Sequence, residues 1–445
     1  MLSAKIYRSF NFKLFVIYTL SLFALWKNGA GDDIALARHI YLSPNRSDYL
    51  GATGTVFFGL IPNTPLMWWH MLLILQLTFA GIGLLFISQV INLKLKRNGI
   101  LFVFFSYLTL VFAGASSRDG IMLSILIFAI GMFIKSRSMS NLLLSKVVEF
   151  IAYASLIFLF SFRPWLSIVI LPIYFWNRSQ KYDKNVFSLF NLVFAVLLFA
   201  SPLFVDQANK KIFNLDSHFP QQMVMLHDIS TTYCWGSDSK ASLYSEKALK
   251  LVATNTESLK NVCQFYRPNT WQAIVFPNKE FLSSKSLQTP IKLISINDFE
   301  KYNEFRSYWI SAILNDPFTY IQNHLTFAIQ VIISGETREL RLVRFIQNMS
   351  GGFDYQYMSS LFYGLFLLPI DLITTFHLLS PLVTMVVLLF FYRRLVWFYA
   401  SFISWIGMTT LAYASDNGRY TIGGSILAYL GVFLDKNILK EKVNY

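Results

Sequence analysis

The feature that most constrains this chain is a succession of apolar runs, most of them long enough to cross about 30 Å of hydrocarbon. They fall at 14–28, 66–92, 99–115, 120–135, 147–162, 164–176 and 186–204. Lipid offers no hydrogen-bond partners, so a crossing segment must pair its own backbone groups. Only helices and closed barrels do this, and unbroken apolar runs predict helices. Composition agrees. Of 445 residues, 55% are hydrophobic and 14% charged, against about 25% charged in a soluble domain. The 17% aromatic share suits lipid-facing Phe and interfacial Trp and Tyr.

Basic clusters between the runs set the orientation. Lys94, Lys96 and Arg97, then Lys135, Arg137 and Lys146, then Arg178, Lys181 and Lys184 all fall on the side of the N-terminal Lys5, Arg8 and Lys13. That side is predicted to be cytoplasmic, because basic loops are retained inside. The net charge of +14 is read as this bias. No solvated basic domain is present, so nucleic acid is not an expected partner and membrane lipid is. The first run resembles a signal sequence but lacks a small-residue cleavage site, so it is expected to remain as the first helix. Segments 27–65 and 116–119 and the turn at Arg163 then face outward.

Residues 205–316 hold no spanning run and carry Pro220, Pro268, Pro277 and Pro290. They predict a small extracytoplasmic domain of mixed structure, with Ile291–Ile296 as a strand or buried turn. Both cysteines of the chain, Cys234 and Cys263, lie in it. Two thiols confined to one soluble insert predict a disulfide and an oxidising compartment. Beyond it, 318–334 reads either as a span or as a helix in the interface. It is followed by a basic stripe of Arg338, Arg341 and Arg344, then by 359–376, 379–392, 395–412 and 421–434. The expectation is an all-α polytopic membrane protein of ten or twelve transmembrane helices. It comprises an N-terminal membrane module (1–204), the soluble insert (205–316) and a C-terminal membrane module (317–445).

The polar residues that could carry chemistry fall on the outward side: Asp32 and Asp33, Arg118 and Asp119, Arg163, His227 and Asp228, and Arg419 with Tyr420. A carboxylate can remove a proton from an acceptor hydroxyl. The planar fork of Arg matches phosphate oxygens. One base with a cationic phosphate site suffices for single displacement with inversion at a sugar carbon. Adjacent residues on a helix diverge by about 100°, so one of Asp32 and Asp33 is expected to act as base and the other to cap or orient. No spacing of Asp32, Asp33, His39 and Asp48 is diagnostic of a divalent ion, and neither metal nor other cofactor is expected.

The order of these motifs resembles the C-type polytopic glycosyltransferases that use polyprenyl-phosphate sugars, in their bacterial branch modifying O-antigen and cell-surface glycan. An acidic residue in the first outward loop is matched by Asp32 or Asp33. A basic–Asp pair opening a helix is matched by Arg118-Asp119, and an Asp-Ile segment entering the soluble domain by Asp228-Ile229. A Trp before Pro-aromatic is matched by Trp309 and Pro317-Phe318, and an Arg-Tyr opening the last helix by Arg419-Tyr420. Two departures stand out: the first-loop acids are adjacent, and Thr421 stands where Pro commonly follows Arg-Tyr. The resemblance implies Asp33 or Asp32 as base and Arg118, Arg163 and Arg419 at the donor phosphate. It also implies Asp119, His227, Asp228 and Tyr420 at the substrate. The donor would be a polyprenyl-phosphate-linked sugar, the acceptor a glycan or lipid-linked glycan. The site would face the periplasm from the bacterial inner membrane. An oligosaccharide polymerase or ligase and a lipid-linked glycan flippase are the alternatives; the flippase is disfavoured by the soluble insert and by most charges being kept to span ends, apart from Asp371.

Overall fold

The computed structural model describes residues 2–25, 32–43, 46, 48, 51–62, 67–91, 96–114, 118–181, 187–216, 222–254, 259, 262–264, 266, 291, 294, 298–334, 381–391, 396–412 and 419–434. Among the described residues four helices are long and apolar enough to cross a membrane: Trp68–Ser88 (α4), Arg118–Arg137 (α6), Leu142–Ser161 (α7) and Leu189–Ile212 (α9). Shorter apolar stretches lie in α1 (Leu2–Leu25), α5 (Lys96–Ala113), α15 (Val396–Ala412) and α16 (Arg419–Phe433). A 3-10 turn, Pro164–Val169, leads into α8 (Ile170–Lys181), and α14 is Pro381–Phe391. The basic stripe Arg338–Arg344 and the run 359–376 lie outside the described residues.

Burial ranks the spans. In α6, 83% of the apolar stretch is buried, against 17% in α9. Helix α6 is therefore the centre of the bundle and α9 its outer wall, whose Val193, Val196, Leu197 and Phe204 stand exposed as lipid-facing residues do. Helices α4 and α6 touch backbone to backbone. A methyl built on Gly131 would lie 2.6 Å from the Gly83 carbonyl oxygen, and one on Gly83 would collide with that of Ile127. Small residues permit this approach, which replaces the missing hydrophobic drive between helices in lipid with dense packing.

Contacts fix the two ends of the bundle. Phe102 stacks on Phe10 and meets Phe433 edge-on, so the N-terminal parts of α1 and α5 lie where α16 finishes. Lys135 lies over Phe86 and Arg137 over Trp176, so α4, α6 and α8 also end there. This end carries the basic residues Lys135 and Arg137 and is the one expected from the sequence to be inner; inner and outer are used in that sense. The first turns of α6 and α16 and the last turns of α7 and α9 lie at the opposite, outer end.

The outward segment 27–65 is not simple loop. It holds α2 (Asp32–Leu42) and α3 (Ala52–Leu60), packed together and against α9. The insert is helical where described: α10 (Gln222–Trp235), α11 (Ser239–Val252) and α12 (Phe299–Asn315), followed by α13 (Pro317–Ser334). Among the described residues β-structure there is limited to isolated bridge residues: Ala253 with Ile291, and Asp216, whose backbone bonds Arg46 and Asp48. The described residues of the insert pack around a core of Leu226, Ile229, Leu249, Val262 and Phe305; most of the strand or buried turn expected at 291–296 lies outside the described residues. Cys234 and Cys263 are joined, with Cα atoms 5.5 Å apart.

Candidate functional site at the outer end of the bundle

Asp119 lies in the first turn of α6, where the helix dipole favours an anion. Its Oδ1 is 2.7 Å from Nη2 of Arg163. Arg163 is extended, as a residue before proline must be, and its guanidinium is turned inward. Its side chain is 1% exposed, against 20% for Asp119. The pair joins the head of α6 to the break between α7 and α8. Arg163, expected at the donor phosphate, is thus buried and held by Asp119, 44 positions earlier in the chain; Arg118 is half-buried next to Asp119 in sequence.

The α2–α3 hairpin sits over this end. Arg38 donates to the carbonyls of Phe58 (2.9 Å) and Gly59 (3.2 Å), capping the C-terminus of α3, and its guanidinium lies 5.1 Å from the Trp68 ring. At the other end of α3, Asp206 of α9 accepts from the Thr53 amide at 2.9 Å. Gly51 precedes that turn with φ of +81°, a conformation open to glycine at little cost. Lys210 of α9 reaches Asp48 at 2.8 Å. Phe57 and Phe58 close on Phe162 with ring centroids 5.3 and 5.9 Å apart, which seats α3 directly on the Arg163 turn. Asp32 and Asp33 form the first turn of α2, and Ile34 and Ala37 just beyond are fully buried in the bundle core. Arg419 and Tyr420 open α16, whose Gly423 and Gly424 pack on Trp405. The side chains of Asp32, Asp33, Arg419 and Tyr420 lie outside what is described.

His227 and Asp228 are placed elsewhere, inside the helical insert. They are 1% and 3% exposed. Asp228 accepts from Trp309 Nε1 (3.0 Å, Oδ2) and bonds His324 Nε2 (3.0 Å, Oδ1). The Asn323 amide meets His227 Nδ1 at 3.3 Å, and Tyr266 donates to Asn323 at 3.1 Å while also bonding Thr231 at 2.6 Å. Burial pushes the Asp228 carboxyl up, but hydrogen bonds from His227 and His324 outweigh it and hold the group below the ordinary carboxylate range. A buried network satisfied in this way fixes one arrangement of its helices. Its geometry latches α10, α12 and α13 together, so the two residues expected at the substrate are turned into the protein. Thr231, Tyr266 and Asn323 have no signature in sequence; Trp309 and His324 are legible only as part of the motif order.

Among the described residues no group of three or more His, Cys, Asp or Glu is placed to hold a metal ion. Comparison with family models, curated proteins and solved structures returns no match.

Proposed function

We propose that the protein is a membrane glycosyltransferase of the C type. It takes a sugar from a polyprenyl-phosphate carrier and passes it to a glycan or lipid-linked acceptor at the periplasmic face of the bacterial inner membrane. The observation that carries this reading is the gathering, at one end of an apolar bundle, of an acid-led helix seated on the core and arginines at the heads of other helices.

In this reading Asp33 or Asp32 takes the proton of the acceptor hydroxyl as that oxygen attacks the anomeric carbon from the face opposite the leaving phosphate. The sugar–phosphate bond breaks, the configuration inverts, and the anionic carrier phosphate leaves. Arg118 and Arg419 meet that phosphate. Arg163, buried against Asp119, acts as a positioning residue: it holds the head of α6 and supplies positive potential where the dielectric is low. Tyr420 lies beside the donor. The joined Cys234 and Cys263 support an oxidising compartment for the insert.

The test is glycan mass spectrometry on cells carrying Asp32→Asn, Asp33→Asn and the double variant, with protein levels followed in parallel. Loss of one sugar substituent at normal protein level is the expected outcome. Full modification in all three removes the base assignment. A collapsed length ladder instead of a missing substituent favours the polymerase or ligase.

A further inference from the structure

Helix α13 is amphipathic in an inverted sense. Its buried side is polar: Thr319, Asn323 and His324 are 9%, 5% and 6% exposed; Asn323 and His324 bond the Asp228 network and Thr319 bonds Asp316. Its outward side is apolar: Phe318, Ile321, Leu325 and Ile329 are 52–74% exposed. At about 100° per residue these four fall within one stripe, opposite the polar side. The stripe continues backward over the Asp316 cap into Leu314 of α12, which is 74% exposed. Water is a poor neighbour for so many aligned apolar side chains.

We propose that this stripe rests on lipid, with α13 lying in the outer membrane–water boundary as the foot of the extramembrane insert. Three observations choose lipid as the occupant. Helix α13 packs on α14 and α15 of the bundle, and their outward residues Leu382, Val386, Leu389 and Ile403 are exposed and apolar as well. The stripe is therefore continuous with the bundle's lipid-facing surface. The first turns of α13 are level with α10 and α12, because His324 and Trp309 bind the same Asp228 carboxylate. Helix α12 carries exposed Glu300, Glu304 and Arg306, so that level is outside hydrocarbon. From His324 to the end of the helix at Ser334 the rise is about 15 Å, half of a bilayer core. The helix thus reads as lying in the boundary and not as crossing, with its apolar face down and its polar back holding the insert.

Both native cysteines are joined, so one introduced cysteine carries a single spin label. Labels at Phe318→Cys, Ile321→Cys, Leu325→Cys and Ile329→Cys of the full chain in phosphatidylglycerol–phosphatidylethanolamine vesicles are compared with a label at Arg306→Cys. The collision rate with oxygen relative to a water-soluble nickel chelate is expected to be several-fold higher at the four stripe positions, with similar depths along the stripe. Chelate access at all four equal to that at the Arg306 position overturns the proposal. So does a depth that increases steadily from 318 to 329, which marks a crossing helix. Short label-to-label distances between copies at the same position make the occupant a second chain and overturn it too.

Discussion

The two ends of the bundle handle polar groups in opposite ways. At the inner end Asn177 accepts from Arg137 at 2.8 Å and donates to Glu149 at 2.8 Å and to Tyr153 at 2.9 Å. One neutral amide thus ties α6, α7 and α8 and stands between a cation and an anion. At the outer end charge meets charge directly, in Asp119–Arg163 and Asp48–Lys210, and the groups come from helix ends and inter-helix breaks. Polar atoms shared across helix bodies fix a structure. Charges set at helix heads keep a face turned to whatever arrives from outside. The contrast sets a neutral amide bridge at one end against direct ion pairs at the other, which is the end where the proposed reading puts the chemistry.

The sharpest way to break that contrast is at the head of α2. Asp33→Asn with Asp32→Asn is expected to lower sugar transfer by roughly 10²–10⁴-fold, the usual contribution of a positioned base, with thermal unfolding in detergent unchanged. Equal activity would make the outer end as structural as the inner one. Next comes Arg163→Ala, which strands Asp119 in a partly buried site and is expected to cost about 3 kcal/mol of stability. Arg163→Met with Asp119→Leu should recover much of that in a double-mutant cycle while activity stays low.

Asn177→Leu sharpens the comparison from the other side. It removes the bridge between Arg137 and Glu149 and is expected to cost about 2 kcal/mol, read as a lower melting temperature, with transfer per folded molecule retained. The smallest effect is the pH response of the insert. Asp228 is held below its unfolded value of about 3.9. The unfolded chain therefore binds the proton first as acid is added. The network's contribution is complete above that value and is lost as pH falls through the folded one. Tryptophan fluorescence, with Trp309 on this carboxylate, should hold steady down to about pH 4 and change below it.

Spans were legible because a helix in lipid announces itself locally. The expected runs 66–92, 120–135 and 147–162 become α4, α6 and α7 with ends moved by a few residues. The hairpin α2–α3 was not, since two helices of 11 and 9 residues leave too little periodicity to read. Its anchors come from far along the chain: Asp206 caps Thr53 across 153 positions. The Asp119–Arg163 pair and the Asp228 network were invisible as partnerships for the same reason. Sequence showed that these residues were charged and outward, and their partners depend on how helices distant in order are brought side by side. Of the strand or buried turn expected at Ile291–Ile296, Ile291 bridges Ala253, and most of the rest lies outside the described residues.

Gly83 and Gly131 carry one more consequence. With no side chain between them, α4 and α6 cannot slide lengthwise without carbonyl oxygens riding over one another. They form a single strut running from the Asp119 head to the Arg137 foot. If an isoprenoid is loaded as proposed, adjustment is left to elements outside that strut, such as the small hairpin packed on α9.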